Sequence, residues 1–306
     1  MFASATREPG PWKAALDAAL PAYDVRVWPE VGAPDDVRYV LLWKPPAGLL
    51  GTLPNLEVAF SLGAGVDGLV DDPELPPGIP LVKMGEPGLV EGMWAYVLYH
   101  VLRYHRRMPE YEAQQARREW RELDQRPHRA CRVGIMGLGR LGAATATRLA
   151  ALDFDVAGWS RSPHRIEGVT CHHGDAGLDA FLRRTDILVC LLPLTEQTRG
   201  IIGARTIARL PRGAVVINAA RGGHQVEDEL VAALDSGHLS AATLDVFATE
   251  PLPAAHPLWA HPRVTITPHV ASITDPVAAA LEVAENVRRH EAGEPMAGVV
   301  DRSLGY

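Results

Sequence analysis

A G-x-G-x-x-G motif, which runs from Gly137 to Gly142, constrains the fold of this chain more than any other feature of its sequence. The motif follows a strand-like apolar run at residues 132–136 and opens a helical pattern at residues 140–152. Gly137 permits a tight turn, Gly139 lets the backbone approach a pyrophosphate, and Gly142 lets the helix pack closely on the strand. The N–H groups at the start of that helix favour an anion. The sequence therefore predicts a dinucleotide-binding turn.

Strand-like and helical patterns alternate along the whole chain. After Cys131, strands are predicted at residues 132–136, 155–160, 187–191, 214–218, 241–245 and 264–267, and helices at 140–152, 178–184, 204–209, 226–236 and 276–291. Before it, runs at 24–28, 39–43, 56–60 and 80–83 predict a smaller parallel unit, although the stretch before Trp12 gives a poor first strand. We predict an α/β protein with two Rossmann-like, doubly wound parallel-sheet domains. The 306 residues fit two domains of about 150 residues each.

Charge, hydropathy and cysteine content argue against several classes of function. The net charge is −7, and glutamates interrupt the densest basic stretch, between Arg103 and Arg121, so no nucleic-acid partner is expected. No apolar run reaches the 18 or so residues that span a bilayer, and the first residues lack a secretory apolar region. His172-His173 has no ligand spacing around it, so a solvated loop is predicted there and no metal site. We expect a soluble, cytoplasmic protein, because a reducing compartment suits three dispersed cysteines: Cys131, Cys171 and Cys190.

The second predicted strand of the dinucleotide-binding part ends in Ser160 and Arg161. An NAD-binding fingerprint has an Asp or Glu at this place to hold the ribose 2′-hydroxyl. Asp153 and Asp155 precede the strand and are therefore at its wrong end. Without a carboxylate, a 2′-phosphate is not repelled, Ser160 can donate to it and Arg161 can pair with it. The sequence predicts that NADP(H) is preferred, with NAD(H) possible.

Three polar side chains follow the later strands of the predicted sheet. Arg221, Glu250 and His269 come after the strands at 214–218, 241–245 and 264–267. Each alone has an ordinary interpretation, as a surface ion pair, a turn or the end of a strand. The carboxyl ends of parallel strands form one edge, where ligands bind in such folds. Together the three suit reduction of a 2-oxo acid: Arg221 binds the carboxylate and carbonyl oxygen, His269 protonates the carbonyl oxygen, and Glu250 favours the imidazolium.

These motifs in combination resemble the D-isomer-specific 2-hydroxyacid dehydrogenase family. The resemblance rests on the glycine motif, Asn218-Ala-Ala-Arg-Gly222, Asp245-Val-Phe247 with Glu250-Pro-Leu252, and Thr267-Pro-His269, and it covers most of the chain. Four further segments resemble the glyoxylate/hydroxypyruvate reductase A branch of the family: Trp43-Lys-Pro-Pro46, Phe60 to Asp67, Trp159-Ser-Arg161 and Asp301 to Tyr306. None of these segments would suffice singly.

The resemblance implies a role for each matching residue. Arg221, Glu250 and His269 match the catalytic Arg, Glu and His of the family. Besides the three glycines, Ser160 and Arg161, the implied cofactor-binding residues are Arg140 and Leu141 at the pyrophosphate, Leu192, Pro193 and Thr198 on the adenine and ribose side, Ala219 and Ala220 before Arg221, and Asp245 at the nicotinamide carboxamide. Ala64 and Gly65 would offer N–H groups to the substrate carboxylate. Trp43 would close the pocket over short substrates, with plain core packing as the alternative.

The resemblance also implies a discontinuous smaller domain, with a cleft between the two domains. It assigns residues 1–94 and 276–306 to a flavodoxin-like substrate domain and residues 95–275 to the dinucleotide-binding domain. It further implies a homodimer that exchanges the apolar helix at 88–103 and the polar arm after it. The leading functional hypothesis is NADPH-dependent reduction of glyoxylate and hydroxypyruvate. The alternatives are another D-2-hydroxyacid dehydrogenase, of the D-lactate, D-glycerate or phenylpyruvate type, and a dinucleotide-sensing binding protein like the corepressors of this fold.

Overall fold

A computed structural model describes residues 1–305. The chain forms two compact units. The first comprises Met1–Leu89 together with the chain from Ile273 onward, and the second is Val90–Ser272. The sequence predicted domain boundaries between residues 94 and 95 and between residues 275 and 276, a few residues later in the chain than those observed. Tyr306, which ends one of the motifs quoted above, lies outside the described residues.

Strands and helices alternate along the chain with the following bounds. The strands are β1 (Phe2–Ser4), β2 (Tyr39–Trp43), β3 (Val58–Ser61), β4 (Leu81–Lys83), β5 (Arg132–Met136), β6 (Asp155–Ser160), β7 (Val169–His173), β8 (Ile187–Cys190), β9 (Ala214–Asn218), β10 (Leu239–Leu244) and β11 (Val264–Ile266). The α-helices are α1 (Pro9–Ala19), α2 (Pro87–His105), α3 (Met108–Arg117), α4 (Arg140–Ala150), α5 (Gly174–Arg183), α6 (Ala204–Ile207), α7 (Glu227–Asp235) and α8 (Pro276–Glu291).

The first unit is built on a four-stranded parallel sheet in the order β1-β2-β3-β4. Its helices α1 and α8 pack together, and α8 begins where the Asp275 carboxylate accepts the N–H of Ala278. The last part of the chain returns to this sheet, since Val300 N–H donates to Leu81 O and Val299 bridges Val82. The returning segment therefore covers the open edge of β4.

The edge of this sheet differs from the sequence-based prediction. Residues 24–28 were predicted as a strand, but only Val27 forms isolated bridges, with Phe2 and Glu30. The edge position beside β2 is filled by Phe2–Ser4 instead, where Phe2 and Ala3 are buried. Pairing with β1 stops after Trp28, because Glu30 N–H, the next donor in this register, donates to Val27 O instead.

The second unit is built on a seven-stranded parallel sheet in the order β11-β10-β9-β8-β5-β6-β7. The chain order reverses between β5 and β8, which is the place where such sheets bind dinucleotides. Alternate residues of β8 enter separate cores: Leu188 and Cys190 pack in one, Ile187 and Val189 in the other. Both faces of the sheet are therefore covered, and the prediction of parallel α/β sheets is confirmed.

Two segments of the second unit correct the sequence-based prediction. Val169–His173 forms the edge strand β7, so His172 does not lie in a solvated loop; its ring packs 6.1 Å from the ring of Phe181. The polar arm contains the helix Met108–Arg117, in which Gln114 is buried. Both elements are short and carry few apolar residues, so hydrophobic periodicity does not mark them.

No helix among residues 1–305 is both long enough and apolar enough to cross a bilayer.

Candidate active site

The glycine motif forms the turn between β5 and α4. Gly137 has φ +99°, and a Cβ there would lie 2.6 Å from Leu191 O, so no other residue fits without strain. A Cβ on Gly142 would lie 1.8 Å from Gly137 O. A Cβ on Gly139 would meet nothing within 4 Å. The first and third glycines are thus required by the chain's own packing, whereas the second borders open space at the start of α4, as a pyrophosphate site requires.

The residues predicted to recognise the 2′-phosphate lie at the end of β6. Ser160 is buried, and its hydroxyl lies 2.8 Å from Ser162 O and 3.0 Å from His164 Nδ1, while Arg161 is exposed. His164 Nδ1 also lies 3.0 Å from Ser162 O. The loop after β6 is therefore closed by hydrogen bonds of its own, and the guanidinium-bearing residue is on its exposed side.

The loop after β8 carries Leu192, Pro193 and Thr198. Leu192 is buried in the core, and the Thr198 hydroxyl donates to Pro193 O at 2.7 Å and accepts from Thr195 N–H at 2.8 Å. These bonds fold the loop back on itself beside the glycine turn, because Leu191 O lies against Gly137. Thr198 shapes this loop through its hydroxyl.

His269 and Glu250 form a hydrogen-bonded pair. His269 Nδ1 lies 2.9 Å from Glu250 Oε2, and both side chains are about a quarter exposed, 27% and 21%. The other carboxylate oxygen, Oε1, accepts the N–H of Phe247 at 3.1 Å. Since a carboxylate can only accept, Nδ1 carries a hydrogen and donates it. The carboxylate thus fixes the orientation of the imidazole.

The loop that carries His269 is held by Asp245. Its Oδ1 accepts from Val270 N–H at 2.9 Å and from the Thr267 hydroxyl at 2.5 Å, and its Oδ2 accepts from Ala271 N–H at 2.9 Å. Burial raises the pKa of the Asp245 carboxyl above its ordinary value, and these three donors oppose the rise. The sequence-based role at the nicotinamide carboxamide stays a prediction; the observed contacts of Asp245 are with the His269 loop.

Arg221 follows β9 in a loop that begins with Ala219 and Ala220, which are both buried. Its Nη1 donates to Ala220 O at 2.7 Å. Three buried polar residues to which the sequence analysis assigned no role support this loop: Asn218, His224 and Gln225. Asn218 begins the quoted Asn218–Gly222 motif. The signal for His224 and Gln225 was the occurrence of amide and imidazole side chains in a segment between a buried strand and a buried helix.

The residues predicted to bind substrate belong to different units. Ala64 and Gly65 follow β3 in the first unit, where the Ser61 hydroxyl donates to Gly65 O at 3.1 Å. Trp43 ends β2 and is half-buried, with its ring over Gly63, where a Cβ would lie 2.7 Å from Cζ3. Arg221, Glu250 and His269 are in the second unit. The combined packing and exposure of Trp43 are compatible with either role considered for it.

No cluster of three or more His, Cys, Asp or Glu side chains within residues 1–305 could hold a metal ion.

Comparison with known proteins identifies the family. Residues 98–271 match the family model described as "D-isomer specific 2-hydroxyacid dehydrogenase, NAD binding domain". The chain is also 47% identical over 300 residues to a glyoxylate/hydroxypyruvate reductase A from Serratia proteamaculans, with 96% of each chain covered. The chain belongs to the D-isomer specific 2-hydroxyacid dehydrogenase family. The family resemblance drawn from the sequence motifs is confirmed.

Solved structures of this dehydrogenase family share the whole fold. A D-isomer specific 2-hydroxyacid dehydrogenase from Xanthobacter autotrophicus, in complex with NADPH and MES, superposes with a TM-score of 0.96 at 47% identity, covering 100% of this chain and 98% of that one. An NADPH-dependent glyoxylate/hydroxypyruvate reductase from Sinorhizobium meliloti, in complex with NADP and sulfate, gives a TM-score of 0.94 at 42% identity, with 100% and 99% covered.

Proposed function

We propose that this protein reduces small 2-oxo acids with NADPH, converting glyoxylate to glycolate and hydroxypyruvate to D-glycerate. The observation that carries the proposal is the 2.9 Å hydrogen bond between His269 and Glu250 at the carboxyl edge of a sheet that also carries the glycine turn. The names and bound ligands of the relatives from Serratia and Sinorhizobium support the same reaction and the same cofactor.

Arg221, Glu250 and His269 have separate roles in the proposed reaction. When bound, reduced nicotinamide supplies a hydride to the carbonyl carbon. Arg221 binds the substrate carboxylate and carbonyl oxygen through its planar guanidinium. His269 donates a proton to the carbonyl oxygen through Nε2, because Nδ1 is committed to Glu250. Glu250 stabilises the imidazolium before the transfer and orients the ring throughout, which general acid catalysis needs.

NADPH selection is assigned to Ser160 and Arg161. The absence of a carboxylate at the end of β6 removes repulsion of a 2′-phosphate, and a guanidinium pairs bidentately with phosphate oxygens. Gly137, Gly139 and Gly142, followed by Arg140 and Leu141, would hold the pyrophosphate at the start of α4. Leu192, Pro193 and Thr198 are proposed on the adenine and ribose side.

Substrate selection is assigned to the first unit. Ala64 and Gly65 would donate backbone N–H groups to the substrate carboxylate, and Trp43 would restrict the pocket to short side chains. This part of the proposal requires Trp43 to reach the substrate that Arg221 binds. The size restriction by Trp43 would distinguish hydroxypyruvate from the larger phenylpyruvate as substrate.

A substrate panel with NADPH tests the proposal. Glyoxylate and hydroxypyruvate are expected to give a kcat/KM well above that of pyruvate and phenylpyruvate, measured by loss of NADPH absorbance. A preference for pyruvate or phenylpyruvate would instead indicate a D-lactate or phenylpyruvate dehydrogenase. Tight NADPH binding without turnover of any 2-oxo acid would indicate a dinucleotide-sensing binding protein.

We further propose a homodimer formed through α2 and the arm that follows it. Trp120 is fully exposed at 104%, and Tyr99 in α2 and Met108 at the start of α3 are exposed as well. Burial against a second copy of the chain accounts for large apolar side chains on the surface of this segment.

The remaining proposals concern compartment and partners. Cys131 and Cys190 are buried free thiols, which suits the reducing conditions of the cytoplasm. The net charge of −7 disfavours a nucleic-acid partner, and we propose none.

A further inference from the structure

The Arg221 loop is connected to both neighbouring loops of the sheet edge by buried side chains. Gln225 is 6% exposed, and its Nε2 donates to Val246 O at 3.2 Å. Val246 lies in the segment that leads from β10 to Glu250. One amide therefore joins the loop that carries Arg221 to the loop that carries Glu250.

Asn218 completes this connection on the Arg221 side. It is fully buried, and its Nδ2 donates to Arg221 O at 3.0 Å and to Gln225 Oε1 at 2.9 Å. Its Oδ1 accepts from Ala220 N–H at 3.2 Å. The backbone on both sides of the Ala220–Arg221 peptide bond is thus fixed by one carboxamide, which Gln225 in turn orients.

His224 makes the connection to the opposite loop. The ring is fully buried, with Nε2 3.2 Å from Pro193 O and Nδ1 3.2 Å from Arg221 N. A carbonyl oxygen only accepts, so Nε2 donates to Pro193 O. Nδ1 contacts the Arg221 backbone: in the neutral ring it accepts the N–H at 3.2 Å, and in the protonated ring it donates to the carbonyl oxygen at 3.1 Å. The imidazole therefore joins Arg221 to the loop of Leu192, Pro193 and Thr198.

The backbones of the Arg221 and Glu250 loops also touch directly. A Cβ on Gly222 would lie 1.9 Å from the carbonyl carbon of Phe247. Phe247 N–H is the donor that holds Glu250 Oε1. A shift of either loop would therefore move both Arg221 and the carboxylate that orients His269.

We propose that Asn218, His224 and Gln225 form a buried brace that positions Arg221 against the Glu250–His269 pair. Gln225 supplies the side-chain hydrogen bond that joins this brace to the Glu250 loop. The three are positioning residues, since none is assigned a contact with substrate or cofactor. The inference rests on the proposed function, in which Arg221 binds the 2-oxo acid, and it adds to that function the means by which the guanidinium is aimed.

The test is a double-mutant cycle between Gln225→Met and Arg221→Ala. Gln225→Met removes the amide at similar volume and without a buried charge. It is expected to lower kcat/KM for the 2-oxo acid by about tenfold or more, because displacing a binding group by about 1 Å can cost 10²-fold. The Kd of NADPH, measured by fluorescence titration, is expected to change less than about twofold, because the His224 link to Pro193 remains. In the Arg221→Ala background, Gln225→Met should add less than about twofold, since coupled residues are not additive.

Two further variants separate positioning from general damage. Asn286→Leu makes the same amide-to-apolar exchange at a site that is 1% exposed, in α8, where the carboxamide bonds only to Ala297 N–H and O. It is expected to lower the melting temperature and to leave kcat/KM unchanged. Gln225→Asn keeps an uncharged carboxamide but shortens the side chain by one methylene, which withdraws the donor from Val246 O. It should reproduce the loss of kcat/KM if Gln225→Met folds poorly.

The outcomes are distinguishable from failure of the proposed function. No turnover of glyoxylate or hydroxypyruvate by the unmodified protein contradicts the function itself. An active protein in which Arg221→Ala is impaired and both Gln225 variants are normal contradicts the brace alone. Equal losses from Gln225→Met with and without Arg221 would mean that the glutamine acts on something other than Arg221, and that also overturns the inference.

Discussion

His269 has a backbone conformation that side chains of L-residues seldom adopt. Its φ is 55°, and its N–H lies 2.8 Å from Asp245 O and 3.1 Å from Thr267 O. Such a conformation costs on the order of 1 kcal/mol or more and persists only where surrounding bonds impose it. The Asp245 carboxylate supplies those bonds through the next two N–H groups. The imidazole is therefore aimed by its backbone as well as by Glu250.

Loss of the imidazole should remove most of the activity. We expect His269→Gln to lower kcat by about 10²-fold or more, the lower range for general acid catalysis. Glu250→Gln keeps a hydrogen-bond acceptor for Nδ1 without the charge and should cost less, about tenfold. Steady-state kinetics with hydroxypyruvate measures both. His261→Gln, which alters a mostly buried histidine outside the site, 3.4 Å from Asp235, is the matched control. Full activity in His269→Gln would refute the proton-donor role.

Arg161 should determine the choice of cofactor. We expect Arg161→Ala to raise KM for NADPH by about tenfold or more, because a charge-assisted pair with the 2′-phosphate is lost at an exposed site. KM for NADH should stay within about twofold, since NADH has no phosphate there. Initial rates with both cofactors provide the comparison and the control at once. An equal rise in KM for NADPH and for NADH would place Arg161 outside the 2′-phosphate site.

In the glycine turn that opens α4, Gly139 borders the predicted pyrophosphate site, whereas Gly142 packs against the backbone of the turn itself. We expect Gly139→Ala to keep the melting temperature and to weaken NADPH binding by about tenfold or more, because its Cβ would enter the open space predicted for the pyrophosphate. Gly142→Ala should lower the melting temperature strongly, since the Cβ would collide with Gly137 O. Thermal denaturation and NADPH titration of both variants make the test. Normal NADPH affinity in Gly139→Ala would contradict the pyrophosphate site.

Helix α2 carries a buried histidine whose protonation opposes folding. His100 is 2% exposed, and its Nδ1 lies 3.3 Å from the Thr243 hydroxyl; burial, and then the nearby Arg103, lower its pKa to about 4. The folded pKa is below the ordinary value of about 6.5, so the unfolded chain takes up the proton first. The free energy of unfolding should therefore fall as the pH drops from about 6.5 to 4, with His100 contributing at most about 3 kcal/mol.

Replacement of this histidine isolates its contribution. We expect His100→Gln, which keeps a polar partner for Thr243, to lose less stability than the unmodified protein between pH 7 and pH 4.5. Urea denaturation at a fixed protein concentration at each pH measures the difference. Parallel loss of stability in the two proteins would mean that other groups account for the acid sensitivity.

The length and burial of an element decide whether the sequence predicts it. The strands β5, β6, β8, β9 and β10 consist mostly of apolar residues, so their hydrophobicity marked them. The strand Phe2–Ser4 has three residues, and β7 is an edge strand with two histidines, so neither has a pattern to detect. In the site, Arg221, Glu250 and His269 follow predictable strands. His224 and Gln225 depend on partners in other loops, up to 31 residues away in the sequence, which local patterns do not reveal, whereas Asn218 bonds within its own loop.

At the scale of the whole molecule, the proposed homodimer rests on the arm around α3. We expect sedimentation to give the mass of a dimer, and Trp120→Asp to shift the population toward monomer, because a charge would replace an exposed aromatic side chain at an interface. Trp259→Asp alters another exposed tryptophan, 52% accessible and outside the arm, and should leave the mass unchanged. A monomeric unmodified protein would contradict the proposed assembly.

The return of the last residues to the first sheet has a consequence for biosynthesis. The ribosome delivers the partners Leu81 and Val300 more than 200 residues apart, with the entire second unit between them. At roughly 5–20 residues per second, the nascent chain waits at least about ten seconds between one partner and the other. The second unit is complete in sequence before α8 emerges, so it can collapse first. Strands β2–β4 of the first unit are meanwhile not yet covered by the segment that returns to them. That interval is when the newborn polypeptide most needs a chaperone.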